Sequence, residues 1–274
     1  MPDPLAALLE LPGVADAVER ARVACEELRW HEVYRRRGAE VRAEAGLRAT
    51  RSSCAIEGVR VPLSLVRSLA TDGGHAPVVV GALRATALVE GLMPALGSRG
   101  GVALPPLRQL LVRLHVAAAG GWLDDADLGR LRASGPPEDL TGLGPAPVGD
   151  ELAARVDLLD RTVRASAAPA VVVAAVVHGE LLGLRPFRAA NGLVARAVAR
   201  LLVTSRGLDP TGSVVPERAW AAALNPYLAG AAGFATGSPE GVAAWLRDYG
   251  AAVVEGAREA GAVADAVLAG SLGE

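Results

Sequence analysis

The chain has 274 residues, 51% of them apolar and 21% charged, with a formal net charge of −2. That length supports a sizeable core without disulfides or metal, and the near-neutral charge gives no footing for nucleic acid or an anionic membrane surface. Every basic residue is arginine, which fits the Ala/Gly/Val/Arg bias of the whole chain, so arginine number by itself carries no functional weight.

Helical periodicity prevails from the start. The N-terminus has Asp3 and no basic run, so a secretory leader is not expected. Val14 to Trp30 reads as an amphipathic helix with Val14, Val18, Val23 and Leu28 on one side. Glu40 to Glu57 is a second helix, stopped by Gly58. Pro62 starts a short helix that ends in Thr71-Asp72-Gly73-Gly74. Val78 to Leu96 and Leu107 to Ala118 follow as apolar helices. Ser134 to Gly149 contains Pro136, Pro137, Pro145 and Pro147 and reads as a surface loop. Asp150 to Arg164 resumes the helical pattern. Ala170 to Leu184 is apolar nearly all round, the mark of a central helix. The surrounding stretch from Ala167 reaches the minimum membrane-spanning length, but Pro169, His178 and Glu180 favour a buried helix. Arg185 to Ala190 is a tight loop leading into a helix from Asn191 to Arg206, with Gly207 at its C′ position. Pro216 to Ala232 and Pro239 to Glu255 close the pattern, Ser238-Pro239-Glu240 giving an N-cap, an N1 proline and an early carboxylate. The last dozen residues read as a loosely packed helix.

Two cysteines, Cys25 and Cys54, lie far apart without a Cys-x-x-Cys pair, which suits a reducing, cytoplasmic setting and two buried apolar side chains. His31, His75, His115 and His178 lack short metal-ligand spacing, and His115 and His178 sit in apolar helices as expected core histidines. No phosphate-loop motif and no Gly-x-Ser-x-Gly occurs.

The helix–loop–helix at Arg185-Pro186-Phe187-Arg188-Ala189-Ala190-Asn191-Gly192-Leu193-Val194-Ala195-Arg196 resembles the signature of the Fic (Fido) family, H-P-F-x-[D/E]-G-N-G-R-x-x-R. Pro186, Phe187, Asn191, Gly192 and Arg196 fall in register. Upstream, Ser53-Cys54-Ala55-Ile56-Glu57-Gly58 is similar to that family's inhibitory-helix motif, [S/T]-x-x-x-E-[G/N]. Trp220, Asn225-Pro226-Tyr227 and Trp245-Leu246 resemble it less specifically. The resemblance implies an all-α Fic/Fido-type helical bundle. It divides the chain into a helical region at 1–100 carrying the inhibitory motif, a Fic/Fido domain at 101–260 and a tail at 261–274. It further implies ATP as the nucleotide, magnesium as its counter-ion and AMP transfer to protein hydroxyls.

The same comparison shows what the chemistry lacks. Arg185 stands where the family's histidine base takes the target's proton, and a guanidinium is a donor only. A missing general base alone costs about 10²- to 10⁴-fold. Ala189 replaces the acid that holds magnesium and has no oxygen for a hard cation, so no metal ligand is assigned. Leu193 replaces a phosphate-binding arginine. What persists is an anion- or nucleotide-binding set at Phe187, Asn191, Gly192 and Arg196, with an inhibitory set at Ser53, Glu57 and Gly58. Asn191 and Gly192 open a helix, so unpaired backbone N–H groups favour an anion there, and Arg185 is expected to add positive charge at the same mouth. Against this stand plainer readings: Phe187 as a core plug, Arg188 as a solvated side chain, Glu57 and Arg196 as a structural ion pair.

Three functions follow from these residues. The first is a pseudoenzyme that binds a nucleotide, a phosphate or a protein partner between the Glu57 helix and the Asn191 helix. The second is an active nucleotidyl- or phosphotransferase that modifies Ser, Thr or Tyr by rearranged chemistry. The third is a structural helical module that forms a homodimer.

Overall fold

A computed structural model describes residues 3–98 and 102–272. The apolar periodicity is realised as eleven α-helices, and no β-strand occurs among the described residues. They are α1 (Val14–Arg29), α2 (Gly38–Ile56), α3 (Leu63–Asp72), α4 (Pro77–Leu92), α5 (Leu107–Ala119), α6 (Gly149–Ala165), α7 (Ala170–Leu184), α8 (Asn191–Ser205), α9 (Glu217–Ala222), α10 (Leu224–Ala235) and α11 (Pro239–Ala269).

Helix α7 is the hub because its sequence leaves it no polar face. Twelve of its residues, from Val171 to Leu184, are buried, and α6, α8, α10 and α11 pack around it. Each large aliphatic side chain so covered contributes about 1.5–3 kcal/mol relative to exposure. Helix α8 runs back along α7 and ends as the sequence suggests. Gly207, at φ +81°, donates to the Thr204 carbonyl, and Leu208 donates to that of Val203, the paired bonds of a Schellman stop. Between α4 and α5 the backbones nearly touch: a Cβ at Gly81 would lie 1.9 Å from the Ala118 carbonyl oxygen. No described helix is long and apolar enough to cross a membrane.

Three stretches differ from the sequence expectation. Helix α4 stops at Leu92 and not at Leu96, because Met93 turns extended, at ψ 152°, ahead of Pro94. Pro216 to Ala232 is not one helix. It breaks at Ala223, at φ −128° and ψ 56°, and restarts as α10. Pro226 explains the break, since its ring and missing N–H cannot sit in a helix that continues from residue 222. Nor does the last helix stop at Glu255. Helix α11 runs for 31 residues to Ala269, crossing the expected boundary at 260. Its last turns bury Val263, Ala264 and Val267 against Val33 and Val41, so the apolar stripe outweighs the interior glycines Gly256 and Gly261. The start follows expectation: the Ser238 hydroxyl accepts the Gly241 N–H at 3.1 Å.

Candidate functional site

The end of α2 and the start of α8 meet at one cleft, with the long loop before α6 as its third wall. Arg196, one turn into α8, is 1% exposed. Its Nε donates to the Ser53 hydroxyl at 2.7 Å, and its Nη2 donates to Glu57 Oε1 at 2.5 Å and to the Ser53 carbonyl at 3.3 Å. Burial works against this charge, yet Glu57 and Tyr227 outweigh it and hold the Arg196 pKa above its ordinary value. The approach depends on Gly192, because a Cβ there would lie 2.2 Å from Glu57 Oε1. The structure thus brings Ser53, Glu57, Gly192 and Arg196 together, while Gly58 follows α2 at φ +85° and faces open space.

Asn191 closes the signature loop on itself. Its Oδ1 accepts the Phe187 N–H at 2.8 Å and its Nδ2 donates to the Phe187 carbonyl at 2.9 Å. Phe187 is fully buried and stacks on His115 at 3.9 Å between ring centres, 6° from parallel. His115 Nδ1 accepts the Gly129 N–H at 2.9 Å, and burial pushes its pKa down to about 4. His178, also fully buried, pairs through Nε2 with the Tyr227 hydroxyl at 2.9 Å.

The expected unpaired N–H groups at the head of α8 are not all unpaired. Asp139, from the loop between α5 and α6, accepts the Asn191 backbone N–H at 2.6 Å through Oδ2 and the Asn191 Nδ2 at 2.6 Å through Oδ1. Burial pushes the Asp139 pKa up, the Asn191 side-chain bond pulls it back, and repulsion from Glu57 adds to the rise. Gly192 and Leu193 keep N–H groups without a backbone or side-chain acceptor among the described residues. The remaining space is a cavity of about 300 Å³ lined by Glu57, Glu138, Asp139, Trp122, Ala189 and Leu193 among others. Its charged side chains are all carboxylates, so the head of α8 faces the chain's own negative groups.

Arg185 does not supply the positive charge expected at this mouth. It sits in the left-handed region at φ +42° and is 1% exposed. Its Nη1 donates to the Leu140 carbonyl at 2.9 Å and its Nη2 to that of Gly144 at 2.6 Å. The turn that ends α7 lays the side chain against the carbonyls of the loop that carries Asp139. Arg132 does the same from the other flank, donating to the carbonyls of Arg185, Leu184, Gly135 and Pro147. Burial pushes both arginines' pKa values down, and for Arg185 the neighbouring Arg132 adds to it. Arg188 is exposed as expected, but paired with Glu138 at 2.6 Å and Asp127 at 3.1 Å.

The residues present do not fit a magnesium ion. Ala189 is buried and carries no donor, Asp139 spends both oxygens on Asn191, Glu57 pairs with Arg196 and Glu138 with Arg188. Both cysteines are buried, and burial pushes the Cys54 thiol up to about 12, which leaves it unreactive.

No family model matches the chain, and no curated protein matches it. Solved structures do. A Fic family protein from Desulfovibrio desulfuricans G20 superposes with a TM-score of 0.72 at 19% identity, over 92% of this chain and 74% of that one. A fragment of Fic-1 from C. elegans gives a TM-score of 0.65 at 18% identity, over 95% of this chain and 76% of that one. A variant of the same fragment gives 0.61 at 18% identity, over 94% and 74%. The chain therefore has the all-α Fic fold.

Proposed function

We propose that this Fic-fold chain does not transfer nucleotides and that its cleft works by binding. The observation that carries the reading is the placement of Arg185. At the position from which a base would act, the chain has a permanently charged donor whose hydrogen bonds go to loop carbonyls. The lack of an oxygen at Ala189 and of a cation at Leu193 supports the same reading, since phosphoryl chemistry draws chiefly on charge neutralisation and positioning. What the site retains is suited to holding a ligand: Arg196, the Asn191-braced loop and the first N–H groups of a 15-residue helix. A phosphate-bearing ligand suits that equipment, but only after the resident carboxylates have moved.

The test is transfer itself. With labelled ATP, magnesium and a mixture of hydroxyl-bearing proteins, the unaltered chain leaves every protein unlabelled. A chain carrying Arg185→His, Ala189→Asp, Leu193→Arg, Glu57→Gly and Asp139→Asn gains measurable self-labelling. Magnesium-dependent labelling by the unaltered chain at the level of that variant would refute the reading.

A further inference from the structure

The loop before α6 is fastened to the signature loop more firmly than a connection needs. Arg132 and Arg185 between them hold its carbonyls at Gly135, Leu140, Gly144 and Pro147. Backbone bonds run from Arg132 N–H to the Pro186 carbonyl at 2.9 Å and from Glu138 N–H to the Arg188 carbonyl at 2.7 Å. Arg188 grips Glu138 from outside. The outcome of this fastening is one placement: the Asp139 carboxylate on the first N–H of α8, where helix geometry concentrates positive potential and an incoming anion would be held. Asp139 comes from 52 residues away in sequence, so the contact is built by the fold and not by local capping.

We propose that Asp139 is an internal stand-in for a phosphate-class anion, and that residues 134–149 form a gate which closes that anion site independently of Glu57. The proposal rests on the reading of the cleft as a binding site. Two carboxylates then guard it, one on the N–H of Asn191 and one over Gly192 on Arg196. An anion entering the cleft meets both, and removing either alone leaves the other in place to repel it. Opening requires the loop to lift Asp139 away. The bonds made by Arg132 and Arg185 set the cost of that movement, so the gate belongs to this chain's own substitution at position 185.

The test compares four proteins by calorimetric titration with pyrophosphate: unaltered chain, Glu57→Gly, Asp139→Asn, and the double variant. Asp139→Asn keeps the side chain's shape but leaves one acceptor oxygen facing two donors, so the grip on Asn191 fails without a cavity. The double variant binds pyrophosphate at least tenfold more tightly than either single variant. If Glu57→Gly alone binds as tightly as the double variant, or if the double variant does not bind, the gate is wrong. Hydrogen exchange gives a second measure that does not depend on ligand. In Arg185→Ala, which leaves Asp139 and Glu57 intact, the amides of 134–149 and of Asn191 exchange at least tenfold faster; unchanged exchange overturns the fastening. Labelling by the unaltered chain would refute only the reading of the cleft as non-catalytic, and these measurements would stand apart from it.

Discussion

Placing histidine at position 185, the residue that proton abstraction would need, should weaken the protein before it helps any chemistry. Arg185 is buried and gives the loop two hydrogen bonds from a charged group, to Leu140 at 2.9 Å and Gly144 at 2.6 Å, beside a long one of 3.4 Å back to Gly183. Bonds of that kind contribute about 1.5–3 kcal/mol each. An imidazole is too short to reach both carbonyls, so both are lost. Gly144 is exposed and Leu140 half-buried, so water recovers part of the loss, and the net cost for Arg185→His comes to about 2–4 kcal/mol. For a chain of this size that lowers the melting temperature by about 5–15 °C. Urea titration followed by circular dichroism measures the change directly. Arg185→Lys, with one ammonium for two acceptors, should lose about half as much. An Arg185→His protein within about 0.5 kcal/mol of the unaltered one would refute the anchoring role.

Two other outcomes follow from single placements. Burial holds His115 at about 4, below the value near 6.5 of an unfolded histidine. Neutral His115 therefore favours the fold above about pH 6.5. That contribution, up to about 3 kcal/mol, is lost as the pH falls toward 4. His115→Gln should flatten the stability profile between pH 6.5 and 4, and an equal slope in both proteins would show that His115 is not its source. Gly192→Ala should cost about 2–3 kcal/mol, because the added methyl evicts Glu57 from a nearly buried ion pair. In a Glu57→Gly background the cost should fall to about 1 kcal/mol or less, because only the far end of the Arg196 side chain, 2.9 Å from the added carbon, then has to shift, and alanine is the better helix former. A full cost in that background would place the obstruction elsewhere.

Much of this was legible in the residues. The all-round apolar character of Ala170 to Leu184 marks the hub helix, and the spacing of Asn191, Gly192 and Arg196 fixes the head of α8. The motif at Ser53 to Glu57 indicates which helix faces it. Other features depend on contacts that no local pattern encodes. Asp139 lies in an irregular, proline-braced stretch, and its partner is 52 positions away. The direction of Arg185 turns on a left-handed backbone angle at the end of α7, which sequence spacing does not reveal. The break before α10 was signalled by Pro226, and the extra length of α11 was obscured by glycines that its buried stripe overrides.

The choice of guanidinium groups to fasten the loop has a consequence for what can release it. Arginine stays protonated far into alkaline conditions, even with burial lowering its pKa. Base therefore offers no way to loosen these fastenings, and neither does modest salt, because their acceptors are uncharged carbonyls rather than screened carboxylates. The fastenings made by Arg132 and Arg185 are left responsive to competition alone: something must offer these two arginines a better oxygen than the chain already provides.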